Sequence, residues 1–230
     1  MNTRAEVRQT LEEGLRKALR RQEFKLHYQA RIDLKTKRIV GAEALLRWMH
    51  PTRGLVSPAE FIPVAEECGL MMPIGNWVLH EACKQARDWK RAGLPLWRMG
   101  VNISAVEFRD ENFLKGVFAI LKATGLGPSS LELDLTERAL MERIETTADV
   151  LQALRAEGAR IAVDDFGTGY SSLSYLKKFP IDALKIDRSF VHQITATSEE
   201  ATVFLAIIGM ARSLKVRAVA EGVETQRELA

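Results

Sequence analysis

What this sequence has little of narrows its chemistry before any motif is read. Its 230 residues include two cysteines, Cys68 and Cys83, and no CxxC pair. Neither a disulfide framework nor a cysteine-ligated zinc site is expected, and reduced thiols predict a cytoplasmic compartment. The four histidines, His27, His50, His80 and His192, form no pair at metal-ligand spacing. No Ser/His/Asp ordering competes with the acidic residues considered below. The longest apolar stretch, "VFLAIIGMA" at 203–211, is well short of the roughly 20 residues a membrane span needs. The opening "MNTRAEVRQT" lacks the apolar core of a signal peptide. No membrane contact is expected within the chain, and any tether would lie outside it. Charge of one sign is also scarce, with 33 Lys and Arg against 30 Asp and Glu for a formal +3. The basic residues Arg16, Lys17, Arg20 and Arg21 fit the outer face of a helix, which favours a solvated surface over a DNA-binding patch.

What is present reads as one α/β domain over residues 1–230. The composition, 47% hydrophobic and 27% charged, is that of an ordinary globular chain, and no Gly/Ser linker divides it. Val7, Leu11, Leu15 and Leu19 at helical spacing predict an amphipathic N-terminal helix over 4–21. "FKLHYQARIDL" (24–34) and "RIVGAEALLRW" (38–48) are separated by polar "KTK", predicting two antiparallel strands. Ser57 and Pro58 mark the start of a helix that ends at Gly69. A longer helix is expected through "NWVLHEACKQARDWKRAG".

Five further β-rich runs follow, at 98–104, 131–137, 160–166, 183–190 and 216–224. Helical patterns separate them: "FLKGVFAILKATG", "TADVLQALRAEG", "SSLSYLKKF" and "ATVFLAIIGMARSL". Strand and helix alternating at about thirty residues is the signature of right-handed crossovers and a mostly parallel sheet. The runs deliver Glu43, Asn102, Asp134, Asp164 with Asp165, Lys185 and Glu221 at their C-terminal ends. An open sheet gathers ligands mainly at one switch point, whereas a TIM-type barrel draws functional groups from nearly all its strands. Helix capping explains any one such acid but not six positions in step, so a TIM-type barrel is expected.

Carboxylates converging on one rim repel each other unless cations compensate. All-oxygen ligands of this kind suit Mg²⁺ or Mn²⁺ rather than zinc. Adjacent Asp164 and Asp165 suit two ions, the first carboxylate bridging, as in two-metal phosphoryl displacement. Lys185 among acids stays protonated and reads either as a structural salt bridge or as a group holding developing negative charge. "GTG" at 167–169 is too short for a phosphate loop but allows a sharp turn, and Ser171 or Ser172 could cap the next helix.

The set "EALLRW", "VNISA", "LDLTE", "DDFGTGYSSLSYL", "LKIDRSFV" and "AEGVET" resembles the EAL family of cyclic di-GMP phosphodiesterases from about residue 6 to the last residue. The resemblance implies a (β/α)₈ barrel whose first strand runs antiparallel to the rest. It implies hydrolysis of cyclic di-GMP to linear pGpG with two Mg²⁺ or Mn²⁺ ions, Ca²⁺ being inhibitory. It assigns Glu43, Asn102, Asp134 and Asp164 to one ion, and Asp164, Asp165 and Glu221 to the other. Lys185 would orient or help deprotonate the attacking water. Gln29 and Arg47 would contact the dinucleotide, and Glu137 would hold the "DDFGTGYSS" loop, near which the family forms a homodimer. Two departures stand out. Asp134 occupies a position where the family usually has Glu, shortening the reach and predicting weakened metal binding. The last β/α unit and its substrate-contacting Gln are expected after "AEGVETQREL" but do not occur in the 230 residues. Without the resemblance, the residues alone point to a metal-dependent barrel hydrolase. A non-cleaving receptor or a signalling scaffold of the same fold is the alternative.

Overall fold

A computed structural model describes residues 3–94, 98–168, 176–193 and 200–229. The chain forms two compact units, Met1–Leu131 and Glu132–Ala230.

The first unit opens with helix α1 (Thr3–Ala18), whose Leu11, Leu15 and Ala18 are buried. Strands β1 (Phe24–Ile32) and β2 (Ile39–His50) form the expected antiparallel pair, in register from Phe24 opposite Trp48 to Ala30 opposite Ala42. The turn between them is built on Asp33. Its Oδ1 accepts from the backbone N–H of Lys35 and Thr36 and from the Thr36 hydroxyl, a local mimic of a backbone turn. These bonds hold the Asp33 carboxyl below its ordinary pKa.

A short strand, β3 (Gly54–Val56), which the sequence pattern does not announce, adds antiparallel to the end of β2. Helices α2 (Pro58–Glu67) and α3 (Met71–Arg91) follow, then β4 (Met99–Ile103), parallel to β2 with Glu43 opposite Gly100. The unit continues through α4 (Ala105–Phe108), α5 (Phe113–Thr124) and a 3₁₀ turn at Pro128–Ser130. Its core centres on Phe24, which meets Trp48, Phe61 and Trp77 at ring separations of 6.0–6.1 Å. Trp48 is fully buried and satisfies its indole by donating to Glu23 Oε2 at 3.0 Å. That cluster fixes which face of the β1–β2 pair is internal, so Gln29, Glu43 and Arg47 share the other.

The second unit is a parallel sheet in the order β5 (Leu131–Thr136), β6 (Arg160–Phe166), β7 (Ala183–Ile186) and β8 (Arg217–Ala220). Helices α6 (Glu137–Met141), α7 (Ile144–Ala156), α8 (Arg188–Gln193), α9 (Glu200–Leu214) and α10 (Gln226–Leu229) accompany it. Leu133, Leu135, Ile161, Val163, Leu184 and Ile186 are almost wholly buried. Strands covered on both faces read as continuous apolar runs, so the polar exceptions within them are informative.

Two predicted strands end early. The run 183–190 leaves the sheet after Ile186, because Asp187 accepts from the backbone N–H and hydroxyl of Ser189 and opens helix α8. The run 216–224 leaves it after Ala220, where Gly222 takes a φ of +67° that favours glycine. The expected "SSLSYLKKF" helix start and the Ser171 or Ser172 cap lie outside the described residues. Among those described, no helix is long and apolar enough to cross a membrane.

Candidate functional site

In the first unit the residues expected at a site gather around Glu43. Gln29 stands directly opposite it across the β1–β2 ladder. Asn102 on β4 donates its Nδ2 to Glu43 Oε1 at 2.8 Å, and Arg31 on β1 donates its Nη2 to Oε2 at 2.9 Å. The Arg31–Glu43 pair is well shielded, with side chains 13% and 12% exposed. It fits because position 100 is glycine: a Cβ there would fall 2.3 Å from Arg31 Nη2. Arg31 joins this group through Glu43, though the sequence reading does not single it out. The signal was available, since Arg31 sits two residues beyond Gln29 and a diagonal neighbour on one sheet face lies within reach of a long side chain. Glu43 is the fifth residue of a twelve-residue strand, not the strand end expected from the sequence. Arg47 lies on the same face and donates its Nη1 to the Leu46 carbonyl at 2.9 Å.

In the second unit the centre is Lys185. Its side chain is 1% exposed, and its Nζ lies 3.1 Å from Asp134 Oδ2, 2.9 Å from Asp164 Oδ2 and 2.7 Å from Glu221 Oε1. Sheet register produces this meeting. Asp134 pairs with Ala162 and Val163 with Leu184, so Asp134, Asp164 and Lys185 emerge on one face of three adjacent strands. Asp134, shorter by one methylene than the residue the resemblance expects, still reaches the ammonium.

The two adjacent acids separate by backbone geometry. The β6–β7 register slips between Val163 and Phe166, and Asp165 takes φ +51°. This bulge turns Asp165 out to solvent while Asp164 stays buried, a device that re-aims a side chain next to a site. Asp165 N–H donates to Asp164 Oδ1 at 2.9 Å, and the Asp165 carbonyl accepts from Thr168 Oγ1 at 2.8 Å. Carboxylate oxygens of Asp164, Asp165 and Glu221 lie within 4.8 Å of one another. Three hard oxygen donors at that spacing could hold a metal ion of the Mg²⁺ or Mn²⁺ type. Charge leads to the same conclusion: one buried ammonium against three carboxylates leaves an excess of negative charge, which a divalent cation offsets.

Glu137, at the first position of α6, is buried, and its Oε2 has no hydrogen-bond partner among the described residues. Residues 169–175 of the loop it is expected to hold lie outside the described residues.

A family model described as "EAL domain" matches residues 12–230. Among curated relatives, the bifunctional diguanylate cyclase/cyclic di-GMP phosphodiesterase MucR of Pseudomonas aeruginosa is 42% identical over 228 residues, 99% of this chain and 33% of MucR. The cyclic di-GMP phosphodiesterase NbdA of the same organism is 44% identical over 220 residues, 96% of this chain and 28% of NbdA. The chain thus spans about a third or less of the length of these relatives. Among solved structures, the MucR phosphodiesterase in complex with c-di-GMP matches with a TM-score of 0.93 at 43% identity, covering 96% of this chain and 89% of that one. The FimX EAL domain of Pseudomonas aeruginosa bound to c-di-GMP matches with a TM-score of 0.85 at 26% identity, covering 95% and 88%. The fold class is accordingly the α/β, TIM-type one expected from the sequence, with the antiparallel first strand seen in β1.

Proposed function

The chain belongs to the EAL domain family, and from that premise we propose that it hydrolyses cyclic di-GMP to linear pGpG. The observation that carries this reading is Lys185, buried in contact with Asp134, Asp164 and Glu221 beside the metal-capable trio Asp164, Asp165 and Glu221. Asp164, Asp165 and Glu221 would hold one divalent ion. The other ligand set, Glu43, Asn102 and Asp134 with Asp164, stands as part of the proposal, with Mg²⁺ or Mn²⁺ as the ions. When bound, such ions supply water activation and stabilise the charge that develops on the leaving oxygen.

The chain's own residues do the rest. Lys185, kept charged by its three carboxylates, donates a hydrogen bond toward the attacking water and keeps its proton at Nζ. Asp164 and Glu221 fix that ammonium so that little reorganisation is needed as charge builds up. Gln29 and Arg47, on the same sheet face as Glu43, are proposed to orient the dinucleotide, the guanidinium suiting a phosphate. A single domain over 1–230, a homodimer through the region after the "DDFGTGYSS" loop and a cytoplasmic location complete the proposal. The test is chromatographic conversion of cyclic di-GMP to pGpG with Mn²⁺, wild type against Lys185→Met and Asp164→Asn. Turnover in wild type and its loss in both variants is expected.

One observation favours a second reading. Both oxygens of Glu43 already accept hydrogen bonds, from Asn102 and from Arg31, which weakens its claim as a metal ligand. A domain that binds the dinucleotide without cutting it fits that arrangement. Tight binding of cyclic di-GMP with no pGpG in the presence of Mn²⁺ would select it.

A further inference from the structure

Lys185, Asp134 and Asp164 sit on strands, as does the neighbouring Asp165, but Glu221 does not. It lies one residue beyond β8, in a segment of irregular backbone. A ligand that must be placed within a fraction of an ångström needs something other than a sheet to hold it. On one side, Glu221 N–H continues the β7–β8 ladder by donating to the Ile186 carbonyl at 3.1 Å. The chain then turns at Gly222, φ +67°, against Arg188 of α8, so closely that a Cβ at 222 would fall 2.6 Å from Arg188 Cβ.

The far side is gathered by one carboxylate. Glu228 Oε2 accepts from the backbone N–H of Glu224 and of Thr225, both at 2.8 Å. Glu228 N–H donates to Thr225 Oγ1 at 3.3 Å, completing a reciprocal cap at the start of α10. The other oxygen, Oε1, lies 2.7 Å from His192 Nδ1 on α8. A carboxylate only accepts, so Nδ1 carries the proton. The His192 bond first, and then the two backbone N–H groups, hold the Glu228 carboxyl down to about 2.

We infer that His192 and Glu228 form a brace that positions Glu221: Glu228 ties residues 224 and 225 together, and His192 fixes that tie to the helix leading out of the Lys185 strand. Both ends of the segment carrying Glu221 are then anchored to the same β7–α8 connection. The inference rests on Glu221 serving as a metal ligand. It assigns roles to two residues outside the carboxylate cluster, neither of which touches a reacting group.

The test compares the full chain as wild type, His192→Phe and His192→Asn, the asparagine amide placing a donor where Nδ1 stands. With no metal added, His192→Phe should speed amide hydrogen exchange at residues 222–225 by about 10-fold, the cost of one hydrogen bond, and leave β5, β6 and β7 unchanged. Mn²⁺ affinity, read by water-proton relaxation, should fall by about 10-fold or more, the usual penalty for losing a group that orients a ligand. His192→Asn should restore both.

Exchange and affinity unchanged in His192→Phe would overturn the brace. So would faster exchange with unchanged affinity, which reduces Glu228 to a helix cap, or failure of His192→Asn to restore either quantity. A wild type that takes up no Mn²⁺ overturns it as well. A wild type that binds Mn²⁺ but produces no pGpG defeats the phosphodiesterase reading alone, because the brace is judged on exchange and affinity.

Discussion

A single ammonium, Lys185 Nζ, faces three carboxylates at 3.1 Å or closer, on a side chain that is 1% exposed. Taking charges out of water costs several kcal/mol per ion, and their attraction repays that only while every partner is present. Lys185→Met keeps the volume of the side chain and removes its charge, leaving Asp134, Asp164 and Glu221 to repel one another. Urea unfolding at neutral pH should show a loss of about 3–5 kcal/mol, the range for breaking a buried ion pair from one side. The same variant should produce no pGpG. Saturating Mn²⁺ should recover more stability in the variant than in wild type, since the cation then relieves carboxylates that no ammonium neutralises. A variant as stable as wild type without metal would mean that the carboxylates take up protons when Lys185 is lost, and that the cluster needs no cation.

Among the elements, the β6 bulge and the α4 cap each separate conformation from chemistry. Asp165 sits at φ +51°, a region asparagine and aspartate tolerate better than other side-chain-bearing residues. Asp165→Asn should therefore unfold within about 0.5 kcal/mol of wild type, as exposed substitutions do. It should nevertheless lose about 10-fold in Mn²⁺ affinity, comparable to the loss of an orienting contact. Asp165→Ala should lose both stability and affinity, and equal stability in the two variants would remove the backbone argument.

In α4, Ser104 and Glu107 cap each other, Glu107 Oε2 accepting from the Ser104 hydroxyl at 2.6 Å and its N–H at 3.0 Å. Burial, with a smaller push from Glu66, raises the Glu107 carboxyl from 4.5 to about 7, even though the Ser104 bonds act the other way. The folded chain thus binds this proton more tightly than the unfolded chain, and stability falls as pH rises from 4.5 to about 7. Glu107→Gln should flatten that slope, gaining at most about 3 kcal/mol over wild type at pH 8 and little at pH 4. Parallel urea titrations at the two pH values measure the difference.

These two elements also mark where the sequence was and was not legible. β6 was readable to the residue, 160–166, because an apolar run between polar flanks defines a buried strand. Its bulge was not, because a one-residue slip depends on the neighbouring strand. α4 is only four residues long, too short for any periodicity to show.

For the whole molecule, legibility depended on range. Apart from β3, the chain order of strands and helices followed local patterns. The carboxylates could be named from the apolar runs that carry them, although Glu43 lies mid-strand and Glu221 just beyond β8. His192 and Glu228 escaped because they act on each other across 36 residues, and nothing local marks such a pairing. Arg31 was within reach of the strand pairing, two residues beyond Gln29 on the same face. Metal removal asks whether those scattered groups amount to a binding site. The chain as a whole carries a formal +3, so it has no general attraction for cations. Any stabilisation by Mn²⁺ must come from local groupings of negative charge that exist only when the strands are paired. An ion that binds the folded and not the unfolded chain stabilises by about 2.7 kcal/mol at a hundredfold excess over its dissociation constant. For a chain of this size that should raise the melting temperature by roughly 5 °C or more. Differential scanning fluorimetry with Mn²⁺, with EDTA and with NaCl at matched ionic strength should show the rise in Mn²⁺ alone. Asp164→Asn should abolish it, because Asp164 belongs to the oxygen trio and also holds Lys185. A rise of the same size in NaCl would assign the effect to screening among exposed charges, and a rise that survives Asp164→Asn would move the cation to another part of the chain.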